Sequence, residues 1–264
     1  MLKFCPLFSS SSGNSVYIGD RDGGILTDVG RSAKQTDLML SSIGVDVSSV
    51  KGIFITHEHT DHVNGLSVFA AKHNIPVYAS AGTLLALKQK NILTSKHIDI
   101  AVNTDEISVA GLTVKPFKTS HDCADGRGYV ITGCDGVTKA AVATDTGFVS
   151  SEILSSITGC KLVYIESNHD IDMLRTGPYP YPLQRRILSD IGHLSNDACA
   201  DTLCALVNKG TTHVILAHLS RENNTEQLAH DTSVTKLLEI GALQNRDYLL
   251  KVAEPQNHDK LITV

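Results

Sequence analysis

The segment His57-Glu58-His59-Thr60-Asp61-His62 constrains this chain more than any other. Four metal-donor side chains in HxHxDH spacing follow the apolar run at residues 52–56, which reads as a buried strand. With 12 His in 264 residues, such a string arises by chance in about two chains in a thousand. In an extended segment, residues i and i+2 point the same way, so His57 and His59 can share one metal. A helical pattern in Leu66, Phe69, Ala70 and His73 comes next, and a turn into it lets Asp61 and His62 face a second metal. Imidazole suits Zn, Mn and Fe, and a carboxylate suits harder ions and bridging water. The plain alternative is a histidine-rich polar loop. The position between strand and helix argues against it, because α/β folds place ligand-binding loops there.

The rest of the chain reads as strands and helices in two rounds. Strands are predicted at 2–8, 15–18, 24–28 and 77–79, around the run at 52–56. Helices are predicted at about 33–43 and 66–73, and Ser80 caps another. The second round has strands at 112–117, 129–132, 137–143, 161–166 and 213–217. Its helices fall at 151–157, 183–191, 196–207 and about 225–240. This order implies α/β architecture, with two sheets packed together and helices outside. No low-complexity linker divides the chain, so a single domain over 1–264 is expected, with a loose or docked tail from about 254.

Further donors sit in equivalent places. His121, Asp145 and His218 each lie just past the end of a predicted strand, which brings them to the edge where HEHTDH lies. A lone His there is an ordinary hydrogen-bonded loop residue; three such residues together point to a site. HxHxDH, a lone His, Thr-Asp-Thr-Gly at 144–147 and a His after a late strand resemble the metallo-β-lactamase superfamily, over nearly the whole chain. That resemblance implies an αββα sandwich with two divalent metal ions (Zn, Mn or Fe) at one edge. It implies His57, His59, Asp61, His62, His121, Asp145 and His218 as metal ligands, with Asp145 bridging. Asp28, in Leu26-Thr27-Asp28-Val29-Gly30, matches an early Asp that braces the metal loop, although Asp-Val-Gly also reads as a turn.

A narrower resemblance joins residues 5–9 (CPLFS) and 12–15 (SGNS) with ESNHD at 166–170 and GHLSN at 192–196. These are similar to the YycJ (WalJ) branch, which is DNA exonuclease-like. A phosphodiester substrate, DNA ends in particular, is therefore expected, cleaved by a metal-bound hydroxide that Asp61 orients. A leaving alkoxide needs a proton donor, and His193 is the candidate. Ser195 reads as the cap of a helix whose free amides suit a phosphate, and His169 and Arg175 are weaker substrate contacts. Rival readings are a two-metal hydrolase of thioesters or lactones, a small-molecule cyclic phosphodiesterase, and a non-catalytic scaffold. The last fits poorly with a full ligand set. An oxygen-reducing di-iron role is disfavoured, because by resemblance those members carry Glu where His59 stands.

Composition bounds these readings. A net charge of -5 gives no general attraction to nucleic acid or membrane, and 5% aromatics with no Trp offer few stacking platforms. Phosphate contact through Arg127, Arg175, Arg185, Arg186 and Arg221 remains open. No 18-residue apolar stretch predicts a membrane span, and the first residues do not read as a signal peptide. Six Cys without a CxxC pair fit reduced thiols in a cytoplasm.

Overall fold

A computed structural model of the chain describes residues 1–258 and 261–264. It divides into two compact units. The first comprises Met1–Pro116, Cys123–Thr138 and Glu254–Val264; the second comprises Phe117–Asp122 and Lys139–Ala253.

The first unit opens with strands β1 (Lys3–Phe8), β2 (Ser15–Asp20) and β3 (Gly23–Thr27). Helix α1 (Ala33–Ser42), strand β4 (Val50–Phe54) and helices α2 (Thr60–Val63) and α3 (Leu66–His73) follow. Then come β5 (Val77–Ala79), α4 (Ala81–Gln89) and β6 (Asp99–Ala101). With β14 (Ile262–Thr263), the strands form a sheet in the order β14-β1-β2-β3-β4-β5-β6. The β1–β2–β3 pairs are antiparallel, whereas β3 through β6 run parallel, so the ends of β3 and β4 emerge at one edge. Asp28 follows β3 and HEHTDH follows β4. Every residue of β2 and β3 is buried, as expected of strands covered on both faces. Leu26, Ile53, Ile55, Leu66, Phe69 and Leu84 belong to one apolar cluster in this unit. Pairing continues past β4, since Ile55 N–H donates to the Tyr78 carbonyl (2.8 Å), which agrees with the apolar run ending at residue 56. The unit also holds β7 (Ile107–Val109), most of β8 (Leu112–Lys118), and β9 (Arg127–Thr132), neighbours in a second sheet.

The tail is docked: β14 pairs antiparallel with β1, and Asn257 N–H donates to the Leu7 carbonyl (3.1 Å). Residues 259 and 260 of the expected tail lie outside the described residues.

The second unit holds β10 (Lys139–Ala143), α5 (Ser151–Ile157), β11 (Leu162–Glu166), α6 (Ile171–Thr176) and α7 (Tyr181–Ile187). After these come α8 (Asn196–Val207), β12 (His213–Ala217), α9 (Glu226–Glu239) and β13 (Leu249–Val252). Its strands lie in the order β13-β12-β11-β10, all parallel. Their apolar sequences are buried, and Ser150, Asp170, Ser195 and Thr225 cap helices with side-chain oxygens. Parallel pairing again puts the C-terminal strand ends on one edge, here those leading to Asp145, Glu166 and His218.

Of the boundaries that differ from the sequence reading, two have a plain local cause. The helix expected at 183–191 spans Tyr181–Ile187, because Pro180 and Pro182 preset its first turn and residues 188–193 leave it as a loop. The strand expected from residue 137 begins at Lys139, because Asp135 accepts the Val137 and Thr138 amides in a tight turn.

Candidate metal centre

The first unit carries one set of donors. Thr56 ends the extended run, and Asp28 reaches it from the neighbouring strand. Asp28 Oδ1 accepts Thr56 N–H (2.8 Å), while Oδ2 accepts Thr56 Oγ1–H (2.8 Å) and pairs with His62 Nδ1 (2.7 Å). Burial raises the Asp28 carboxyl above its usual range, against the opposing pull of His62. The rings of His57 and His62 are 4.2 Å apart and those of His57 and His59 4.5 Å apart. Glu58 points the other way, its Oε1 accepting Ala124 N–H (2.9 Å), as alternation along an extended segment requires. The loop is strapped by Asn14. Its Nδ2 lies 3.1 Å from both Asp61 Oδ2 and His62 Nε2, its backbone N–H donates to the Asp61 carbonyl (2.8 Å), and its Oδ1 accepts Ser10 N–H (3.0 Å). Gly30 closes the strap: a Cβ there would lie 1.8 Å from the Asp61 carbonyl oxygen.

The second unit carries the other set. Asp145, Glu166, His193 and His218 offer donor atoms that all lie within 4.8 Å of one another. Glu166 is fully buried. Its Oε1 pairs with Nδ1 of His193 (2.7 Å) and Nδ1 of His218 (2.9 Å), and its Oε2 accepts the Thr146 and Leu194 amides (3.0 and 3.2 Å). Burial works to raise this carboxyl, but His193 and His218 outweigh it and hold it below the usual range. His193 shifts up in turn, burial opposing and the Glu166 carboxylate prevailing, which favours the protonated ring. His121 Nδ1 faces the Gly192 carbonyl (3.0 Å), and its Nε2 lies 3.9 Å from Asp145 Oδ1.

These residues fit a divalent ion by the chemistry of their donors. In His62, His121 and His218 the Nδ1 edge is engaged by a carboxylate or a carbonyl, which assigns the proton to Nδ1 and the lone pair to Nε2. Asp28, Asp145 and His218 hold φ at 61°, 56° and 56°, a left-handed conformation that few non-glycine residues adopt and that clusters at functional sites.

The remaining candidates fall outside both sets. Ser195 Oγ caps α8 by accepting Ala198 N–H (3.2 Å). His169 is buried, neither ring nitrogen has a hydrogen-bond partner among the described residues, and burial pushes it down to about 4, so it stays neutral. Arg175 is exposed on the last turn of α6. Sequence reasoning gave no role to Glu166 or Asn14. A charged residue closing an apolar strand was the available signal for Glu166, since unpaired carboxylates are rarely buried.

Residues 24–219 match the model of the β-lactamase superfamily domain. The chain belongs to the metallo-β-lactamase superfamily. It is 39% identical over 240 residues to the exodeoxyribonuclease YycJ of Bacillus anthracis, covering 90% of this chain and 89% of that one. It is 35% identical over 240 residues to the exodeoxyribonuclease WalJ of Streptococcus pneumoniae, covering 89% and 88%. Membership of the YycJ-like branch follows. Among solved structures, the metallo-β-lactamase fold protein YhfI of Bacillus subtilis superposes with a TM-score of 0.71, at 14% identity, covering 97% of this chain and 98% of that one. That likeness shows the metallo-β-lactamase fold, as the motif order implied. The family and its donor residues mark the protein as one that binds divalent metal ions. No helix among the described residues is long and apolar enough to cross a membrane.

Proposed function

We propose that this metal-dependent hydrolase cleaves phosphodiester bonds at DNA ends, using two divalent ions. His57, His59 and His121 would hold one ion and Asp61, His62 and His218 the other, with Asp145 bridging; Mn, Zn and Fe all suit these donors. The exodeoxyribonuclease relatives support the substrate class. The ions, when bound, activate water and neutralise charge on the phosphate. Asp61, held by Asn14, orients the attacking water. His193 gives its proton to the leaving oxygen, and Glu166 keeps the ring aimed and charged. A cytoplasmic location fits a chain with six Cys and no CxxC pair.

The observation that carries this reading is the His193–Glu166 pair: an imidazole held by a buried carboxylate (2.7 Å) beside Asp145 and His218. An alkoxide leaving group needs such a donor far more than a thiolate or a phenolate does. The test is hydrolysis of linear DNA, RNA, bis(p-nitrophenyl) phosphate, thioesters and lactones by Mn-loaded protein. His193→Ala should cost about 10²–10⁴-fold on DNA and little on the nitrophenyl ester. Equal losses on both would leave His193 a phosphate-positioning group. Efficient cleavage of thioesters or lactones with all phosphodiesters untouched would overturn the proposal.

A further inference from the structure

The chain is acidic overall, yet it carries no Asp or Glu between Asp172 and Asp190. That stretch has Arg175, Arg185 and Arg186, together with Tyr179 and Tyr181. Elsewhere Arg127 and Arg246 are paired with neighbouring aspartates. Arg185 is exposed and makes no ion pair among the described residues. The aromatic residues show a parallel contrast. Of seven Tyr and six Phe, the exposed ones among the described residues are Tyr181 (70%) and Phe148 (43%).

Both exposed rings flank the loop that carries His193. Helix α7 begins with Tyr181 and ends at Ile187, whose carbonyl accepts His193 N–H (3.0 Å). Phe148 follows Gly147, which packs so tightly on the Ser189–Asp190 backbone that a Cβ would meet Asp190 at 2.4 Å. The far side of α7 is moored, because Arg186 pairs with Asp122, next to His121, and Asp122 N–H donates to the Ile191 carbonyl (3.1 Å). Tyr181 and Arg185 are four residues apart and share a helix face. Pro178, Pro180 and Pro182 stiffen the approach, so presenting Tyr181 costs little ordering entropy.

Unpaired cations, exposed flat rings and a stiff mount beside a phosphodiester-cleaving group match the chemistry of a single polynucleotide strand. We propose that α7 and Phe148 form the platform for the single-stranded end of a DNA substrate, with Tyr181 and Phe148 stacking on bases and Arg185 meeting phosphate. This rests on the reading that His193 faces the scissile phosphate. Six residues of helix place Tyr181 about 9 Å along the axis from Ile187. A strand running along α7 from the cleaved bond therefore meets Tyr181 a few nucleotides away.

The test uses the full, Mn-loaded chain with single-stranded DNA of two to twelve nucleotides, the same lengths of RNA, and bis(p-nitrophenyl) phosphate. For the wild type, KM should fall as length passes about three nucleotides and then level off. Tyr181→Ala should remove that length dependence and raise KM on longer strands about five- to a hundredfold, the scale of one lost base stack. Arg185→Ala should flatten the salt dependence of KM by about 0.7 in the log–log slope. Turnover of the nitrophenyl ester should not change, which also shows that the variants fold. Unchanged KM on DNA in both variants, or equal losses on the small ester, would overturn the platform. A larger effect on RNA than on DNA would overturn the strand assigned to it. If wild type cleaves no phosphodiester, the reading of the metal centre fails. Anisotropy of a labelled DNA dodecamer then still decides whether Tyr181 and Arg185 hold the strand.

Discussion

The two donor sets solve one problem in opposite ways. In the first unit, four donors lie within six consecutive residues, and separate supports hold them: Asp28 and Thr56 behind His62, Asn14 behind Asp61. In the second unit the donors come from distant segments, and one carboxylate, Glu166, holds two imidazoles and two backbone amides. Contiguous donors inherit mutual position from the local backbone. Dispersed ones need a shared hub, so the second set concentrates its dependence on a single residue.

Three substitutions sharpen or break that contrast. The largest effect is expected from Glu166→Ala. It leaves three buried N–H groups without their acceptor, each at about 1–3 kcal/mol, and frees both His193 and His218. Hydrolysis should fall about 10³-fold or more, and the urea midpoint of the metal-free protein should drop clearly. If Asp28→Ala costs as much on both measures, the hub has no special weight. Next comes Asp28→Asn, which keeps the shape but cannot accept from Thr56 N–H, Thr56 Oγ1–H and His62 together. Calorimetric Mn titration should show affinity weakened about 10–100-fold. Smallest is Asn14→Ala, which removes the amide lying 3.1 Å from both Asp61 Oδ2 and His62 Nε2 but leaves every proposed ligand in place. A loss of about tenfold in kcat with KM unchanged is expected for bis(p-nitrophenyl) phosphate. A KM effect instead would make Asn14 a substrate contact.

The same contrast governs what could be read in advance. HEHTDH was legible because its chemistry and spacing sit in one short segment, and His121, Asp145 and His218 because each lies just past the end of a strand. Glu166 was not, since its partners are 27 and 52 residues away: the parallel pairing of β11 with β12 brings His218 to it, and the loop after α7 brings His193. Asn14 stood inside a quoted motif, but its partner Asp61 is 47 residues on. Most strands and helices followed from apolar periodicity. β6, β7, β13 and β14 did not, being two to four residues long and largely exposed, too short to show a period. Helix α6 was hidden by its length of six residues and its run into Gly177 and Pro178.

The left-handed backbone at Asp28, Asp145 and His218 narrows what mutation can do there. Beyond Gly, that conformation is adopted most readily by Asn, Asp and His. The proposed metal binding at 145 and 218 and the bracing at 28 favour Asp and His among these, with Glu as the usual chemical substitute. Glu passes the chemical filter and fails the conformational one. Gly relaxes the backbone and brings no donor. The two filters intersect almost only at the residues already present. These positions should therefore have few neutral neighbours in sequence space, and a library randomised at 28, 145 and 218 should return close to its starting alphabet.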